Sequence, residues 1–251
     1  MITTLIFLYG LLFGSFFNVV GLRVPLNQSI IKPRSACPKC GHQLRSWELI
    51  PVVSYVVLRG KCRGCGSRIS PIYPITELIT GILFALAPFF VGWGSELIVA
   101  WTFISLFMII FVSDIHYMLI PDKILLFFAG VFLLERFIWP LTPWWDSLLG
   151  AAAGFLLLAL ISFISKGGMG FGDVKLFGLI GLVVGTKLML LSFFLATLFG
   201  AVFGILALLL KLVKKREPIP FGPFIAIGTL TAYFYGNQLI EMYLQFITNG
   251  L

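Results

Sequence analysis

Charge is scarce in this chain. Of its 251 residues only 11% are Asp, Glu, Lys or Arg while 59% are hydrophobic, a balance that excludes an ordinary water-soluble domain. Acid is scarcer still between Arg23 and Ser70, where Glu48 is the one acidic residue against nine Lys/Arg (Arg23, Lys32, Arg34, Lys39, Arg45, Arg59, Lys61, Arg63, Arg68). That stretch alone sums to +8, the formal charge of the whole chain, so the other residues balance to zero. Cysteine is missing everywhere except this same stretch, which holds all four. Such confinement argues against a disulfide framework and, in a reducing compartment, for metal. There is no glycine-rich nucleotide loop of the soluble-fold type, no low-complexity tail and no convincing internal repeat. The N-terminus lacks a basic n-region and a small-residue cleavage site, so Met1–Leu22 reads as a retained span rather than a signal peptide.

What is present is a succession of apolar runs, each near the roughly 20 residues that cross a bilayer as a helix. They predict an all-α integral membrane protein with about eight spans: 1–22, 72–93, 97–116, 123–139, 147–165, a short 174–186, 188–210 and 218–240. Proline and Gly/Cys pairs make 23–70 a small folded insert rather than a helix. Concentrated Lys/Arg places that insert on the cytoplasmic side, a positive-inside pattern and not a nucleic-acid footprint, with anionic head groups as a possible contact. Lys211-Leu212-Val213-Lys214-Lys215-Arg216 forms a second cytoplasmic stop. The expected division is therefore 1–22 as the first helix, 23–70 as the insert and 71–251 as a membrane region of about seven helices. Glu135 and Arg136 are adjacent, do not share a helix face, and are expected to find separate partners.

Two constellations carry chemistry. Cys37-Pro38-Lys39-Cys40 and Cys62-Arg63-Gly64-Cys65 have the spacing of two knuckles that wrap one ion with four thiolates. A closed shell makes the ion structural; zinc is expected, with iron in a rubredoxin-like site as the chemical rival. His42, beside a complete shell, reads as a surface residue. The second constellation is a set of acids at the loop side of the membrane: Glu77, Asp114, Asp122 and Asp173. An ionised carboxylate at such depth is costly and is functional by default. Asp173 follows two glycines in Gly170-Phe171-Gly172-Asp173-Val174-Lys175, which permits close approach, and it opens a helix whose dipole favours its charge. The structural alternative is a helix cap neutralised by Lys175. Two carboxylates brought together share a proton, so one can take a proton from water while the other polarises a carbonyl. Asp114 and Asp173 are the candidates; Asp122, beside Pro121 and Lys123, suits a cap and ion pair, and His116 an interfacial hydrogen bond. A membrane protease ranks first. A proton-coupled transporter ranks second, since the acids gather at one face rather than at midplane breaks.

The order of motifs resembles the bifunctional type IV prepilin peptidases, the leader peptidase/N-methyltransferases of pilus, type II secretion and competence systems. The likeness runs through Gly14-Ser15-Phe16-Phe17-Asn18-Val19-Val20 with Arg23 and Pro25, then Pro33-Arg34-Ser35-Ala36-Cys37-Pro38-Lys39-Cys40 and Glu48-Leu49-Ile50-Pro51. It continues through Arg59-Gly60-Lys61-Cys62-Arg63-Gly64-Cys65, Tyr73-Pro74-Ile75-Thr76-Glu77-Leu78, Asp114, Ile120-Pro121-Asp122, Gly170–Lys175 and Pro220-Phe221-Gly222-Pro223. The compact length is most similar to the competence-type enzymes of Gram-positive bacteria. The resemblance implies catalysis by Asp114 and Asp173 with Gly170 and Gly172 in support. It ties the four-cysteine insert, Gly60, Lys61 and, beside them, Glu77 to methyl transfer from S-adenosylmethionine. It further implies cleavage of type IV prepilins or pseudopilins after Gly, in the bacterial cytoplasmic membrane with the active site facing the cytoplasm, and no nucleic-acid partner. A family member that cleaves without methylating is the runner-up.

Overall fold

The computed structural model describes residues 1–165, 169–214 and 219–249. Lys166-Gly167-Gly168, at the end of the fifth expected span, lie outside the described residues. So do Lys215 and Arg216 of the basic stop and Pro218 at the start of the last span. Among the described residues there is no strand, and the all-α expectation holds. The helices are α1 (Ile2–Arg23), a short α2 (Val53–Val57), α3 (Ile72–Val91), α4 (Glu96–Tyr117), α5 (Asp122–Ile138), α6 (Asp146–Ile164), α7 (Phe171–Leu209) and α8 (Gly222–Asn249). Five of them (α1, α3, α4, α6 and α7) are long and apolar enough to cross a membrane. The chain is a multi-pass membrane protein.

Met1–Tyr117 forms one compact unit and Met118–Leu251 a second. In the first, α1 packs on α3 with its backbone almost in contact. A Cβ at Gly10 or Gly14 would come 2.7 Å from the Cα of Gly81 or Glu77, respectively. Small residues one turn apart allow that approach, as membrane helices require where apolar side chains gain nothing by leaving lipid. The same face of α1 carries Asn18, which donates to the Tyr73 carbonyl of α3 at 3.2 Å. Helix α4 is the most deeply buried, with Phe103, Ile104, Leu106, Phe107 and Ile110 fully enclosed.

The second unit is organised on α7, against which α5, α6 and α8 pack. Gly150 of α6 and Gly181 of α7 lie so close that a Cβ on either would strike the other's backbone. The two spans expected at 174–186 and 188–210 are two helices that meet at Gly185 (φ 77, ψ 176), a conformation open in practice to glycine alone, and fold back on each other so that the Phe177 and Phe193 rings lie 5.7 Å apart. The break falls two residues before Lys187, which marks the boundary in the sequence. It exposes the terminal groups of two half-helices, and both are met by charged side chains. Arg136 of α5, itself buried, donates to the Val183 carbonyl at 2.9 Å, a cation at a helix C-terminus. Asp146 of α6 accepts from the Thr186 N–H at 3.2 Å and its hydroxyl at 2.8 Å, an acid at a helix N-terminus. The expectation that Arg136 finds a partner other than its neighbour is thus met by a backbone.

Gly185→Ala places a side chain at positive φ and into the Asp146 carboxylate. A loss of roughly 1–3 kcal/mol is expected. It is read as a lowered unfolding midpoint of the detergent-solubilised protein; an unchanged midpoint would mean the break does not depend on this glycine.

Candidate active site and four-cysteine centre

The two cysteine pairs are built alike. In the first, the Cys37 N–H donates to the His42 carbonyl and the Gly41 N–H to the Cys37 carbonyl, each at 2.9 Å. In the second, the Cys62 N–H donates to Ser67 at 2.8 Å and the Gly66 N–H to Cys62 at 2.9 Å. Gly41 (φ 71) and Gly66 (φ 70) make the same left-handed turn, and antiparallel bridges Ala36–Gln43 and Lys61–Arg68 close both loops. The insert therefore contains a structural repeat that the sequence reading missed. Its signal is Cys-x-x-Cys-Gly occurring twice.

The two knuckles bring their sulfurs together. Cys37 and Cys65 Sγ are 3.9 Å apart, as are Cys40 and Cys62, and all four lie within 4.8 Å of one another. Four zinc–sulfur bonds of about 2.3 Å in a tetrahedron set the sulfurs about 3.8 Å apart, so the geometry fits a metal ion. The surroundings fit too: the Gly64 N–H donates to Cys62 Sγ at 3.4 Å, and the Ser67 hydroxyl lies 3.2 Å from Cys65 Sγ. Backbone N–H groups of Cys40 and Lys39 lower the Cys37 thiol to about 6. The His42 N–H favours the Cys40 thiolate, but the other sulfurs and burial outweigh it and push that thiol up to about 12. Four adjacent thiolates need a cation.

Glu48 supports this centre from beneath. Its buried carboxylate accepts from the Arg45 N–H at 2.8 Å and from His42 Nε2 at 3.2 Å. His42 is therefore not a bystander at the surface; it is the buried acid's partner. Arg63 stacks over Trp47 at 5.1 Å, closing the short turn Ser46–Leu49. The Arg45 N–H, then His42, hold the Glu48 carboxyl below the usual carboxylate range. A depressed pKa stabilises the insert above the ordinary value of about 4.3, and that contribution is lost as pH falls through the folded value. Glu48→Gln is expected to speed metal release to a colorimetric chelator at neutral pH. The gap from wild type should narrow as the medium is acidified, and equal rates at neutral pH would remove Glu48 from this role.

Gly60, Lys61 and Glu77 have distinct surroundings. Gly60 (φ 65) follows Arg59 (φ 52), and the Tyr55 ring would sit 2.9 Å from a Cβ there. Gly60 and Lys61 lead directly into the second knuckle, with Lys61 exposed. Glu77, buried on α3, accepts from the Val52 N–H at 2.7 Å. It fastens the insert to α3.

Of the remaining acids, Asp114 is buried in the last turn of α4, in the first unit. His116 Nδ1 donates to the Val112 carbonyl at 3.0 Å, the local hydrogen bond expected of it. Asp173 stands in the first turn of α7, in the second unit, half-buried. Its N–H donates to the Gly170 carbonyl at 3.1 Å, and its carboxylate lies 3.4 Å from where a Gly170 Cβ would be. A Cβ at Gly172 would press on Ile120 at 3.0 Å, so the Ile-Pro-Asp and Gly-Phe-Gly-Asp motifs pack together. Lys175 does not take the role of neutralising Asp173. Its ammonium pairs with Asp122 at 2.7 and 2.8 Å and lies 5.2 Å from the Phe171 ring centre. Asp122 is thus an ion-pairing residue, as expected, with Lys175 rather than Lys123.

Comparison with known proteins places these residues in two family matches. Residues 8–91 match the Bacterial Peptidase A24 N-terminal domain and residues 101–205 the Type IV leader peptidase family. The chain is 48% identical to the prepilin leader peptidase/N-methyltransferase of Bacillus subtilis over 96% of its own length and 98% of that protein's. It is 34% identical to the same-named protein of Pseudomonas aeruginosa, over 95% and 92% of the two chains. A third relative of that name, from Aeromonas salmonicida, is 34% identical over 97% and 94%. No solved structure matches.

Proposed function

Because the chain belongs to the type IV leader peptidase family, we propose that it removes the leader of type IV prepilins or pseudopilins and N-methylates the residue so exposed. The observation that carries this reading is near-full-length similarity to proteins named for both activities, together with an intact four-cysteine centre. Asp114 and Asp173 act as the peptidase pair. One carboxylate would take a proton from water while its protonated partner polarises the scissile carbonyl. Gly170 leaves room for the Asp173 carboxylate, and Gly172 lets the helix start seat on Ile120. The Lys175–Asp122 pair fixes that helix start.

The substrate presents a basic leader in the cytoplasm and an apolar helix in the membrane, and cleavage follows a Gly, typically before Phe. The insert and leader are both positive and repel, so affinity comes from the substrate helix packing against the spans. The insert, 23–70, serves methyl transfer, with Gly60, Lys61 and Glu77 shaping it around the metal; 1–22 and 71–251 form the membrane-embedded body with the peptidase. Cys37, Cys40, Cys62 and Cys65 hold zinc, which folds an insert too polar to make its own core. S-adenosylmethionine supplies the methyl group. With eight crossings, counting α7 as two, the nine Lys/Arg of the insert favour the cytoplasmic face of the bacterial inner membrane.

The test is purified wild-type protein in lipid vesicles with a prepilin carrying a Gly-Phe junction. Mass spectrometry should find loss of the leader and, when the methyl donor is present, a gain of one methyl group on the new N-terminus. Cleavage without the methyl gain would reduce the reading to a peptidase.

A further inference from the structure

The stretch Leu49–Leu58 lies between the two knuckles and reads Leu-Ile-Pro-Val-Val-Ser-Tyr-Val-Val-Leu, without a charge, inside the most basic part of the chain. In a small water-facing insert such a run would turn inward. Here it turns outward: Val53 is 54% exposed, Val56 and Val57 66% each, and Ile50 47%. Positions 53, 56 and 57 share one face of α2. The opposite side, through Tyr55, faces the insert, where its hydroxyl donates to the Ile69 carbonyl at 3.4 Å.

The depth of this segment is set by one bond. The Val52 N–H, at the foot of α2, donates to Glu77, five residues into α3. Five residues of helix rise about 7.5 Å. Helix α3 has 20 residues, about 30 Å, which is the thickness of the hydrocarbon core with nothing to spare. A partner of Glu77 therefore sits at or below the level where the acyl chains begin. The backbone is bent to reach it. Val52 takes φ 60 and ψ −49, with the Val53 N–H donating to the Pro51 carbonyl at 2.6 Å. A β-branched residue at positive φ in a γ-turn is rare and strained. Arg59 and Lys61, both exposed, follow directly and stand where lipid phosphates would be.

We propose that Leu49–Leu58 is a re-entrant interfacial segment: α2 dips into the leaflet on the insert's side, with Val53, Val56 and Val57 among the acyl chains and Arg59 and Lys61 on anionic head groups. The four-cysteine centre is then moored to the membrane surface rather than suspended in water. Inverted amphipathicity, the Glu77 tether and the flanking cations all favour lipid over a protein partner. This inference concerns the insert alone and stands whatever reaction the chain performs.

The test is site-specific photo-crosslinking of the full chain in phosphatidylglycerol/phosphatidylethanolamine vesicles, with p-benzoylphenylalanine at Val56. Leu86, exposed at 42% on α3, is the lipid-facing comparator, and Lys39 in the first knuckle the water-facing one. Metal content and helicity verify each variant, with Val53 replacing Val56 if the latter does not fold. Phospholipid adducts at Val56 should match Leu86 and exceed Lys39 roughly tenfold, as an apolar face within the acyl boundary requires. A yield no higher than at Lys39 overturns the proposal. So does a yield that passes wholly from lipid to prepilin when substrate is added, which would make the face a substrate dock.

Discussion

Asp114→Asn and Asp173→Asn are each expected to reduce prepilin cleavage by about 10³-fold or more, with folding and metal content intact. Positioned proton transfer contributes roughly 10²–10⁴-fold in enzymes. An amide at either position can neither take the proton of water nor give one to the carbonyl. On the proposed dyad, the double variant should be scarcely worse than either single one. The assay must read cleavage itself, since a proton carrier would also need its acids. A folded single variant that cuts at the wild-type rate would remove that acid from the pair. Asp122→Asn should behave differently: it loses the ion pair with Lys175 but retains the reacting groups, and a deficit far smaller than that of the dyad variants is expected.

The second large effect falls on the other activity. Cys62→Ser removes the most buried of the four sulfurs, 5% exposed, and should strip the metal and unfold the insert. Structural zinc in small domains contributes apparent free energies of about 10–16 kcal/mol, far beyond what this insert could replace from its own core. Transfer of labelled methyl should be lost, whereas cleavage should stay within a few-fold, because Asp114 and Asp173 lie on α4 and α7 and not in the insert. Elemental analysis should return one zinc per wild-type chain and none in the variant. Iron in its place would mean a rubredoxin-like centre. Equal loss of both activities would mean that the insert also holds the peptidase together.

The parts legible in the sequence were those written in composition and short spacing. Apolar runs gave the helices, and Cys-x-x-Cys pairs gave a four-sulfur cluster whose geometry fits a metal. What escaped depends on distant or conformational facts. Lys175 and Asp122 are fifty-three residues apart, and nothing local distinguishes that pairing from Lys175 with Asp173 or Asp122 with Lys123. The His42–Glu48 contact was hidden because Glu48 caps its turn through Arg45, without the Ser or Thr that marks a capping box. Lys187 carries the charge that suggests a boundary, yet the break belongs to Gly185, where only backbone conformation decides. Val52 is the extreme case. A β-branched residue announces a strand or a core position, never a left-handed turn.

The broken helix has a consequence for the bilayer. Residues 171–184 of α7, fourteen by count, end at a joint lined by Arg136 and Asp146 and begin beside Asp173. Fourteen helical residues reach about 21 Å, some 9 Å short of an undisturbed hydrocarbon core. A helix this short is accommodated by local thinning of the bilayer or by the neighbouring helices that enclose it. On the proposed dyad, local thinning at this short helix would bring interfacial water closer to Asp173.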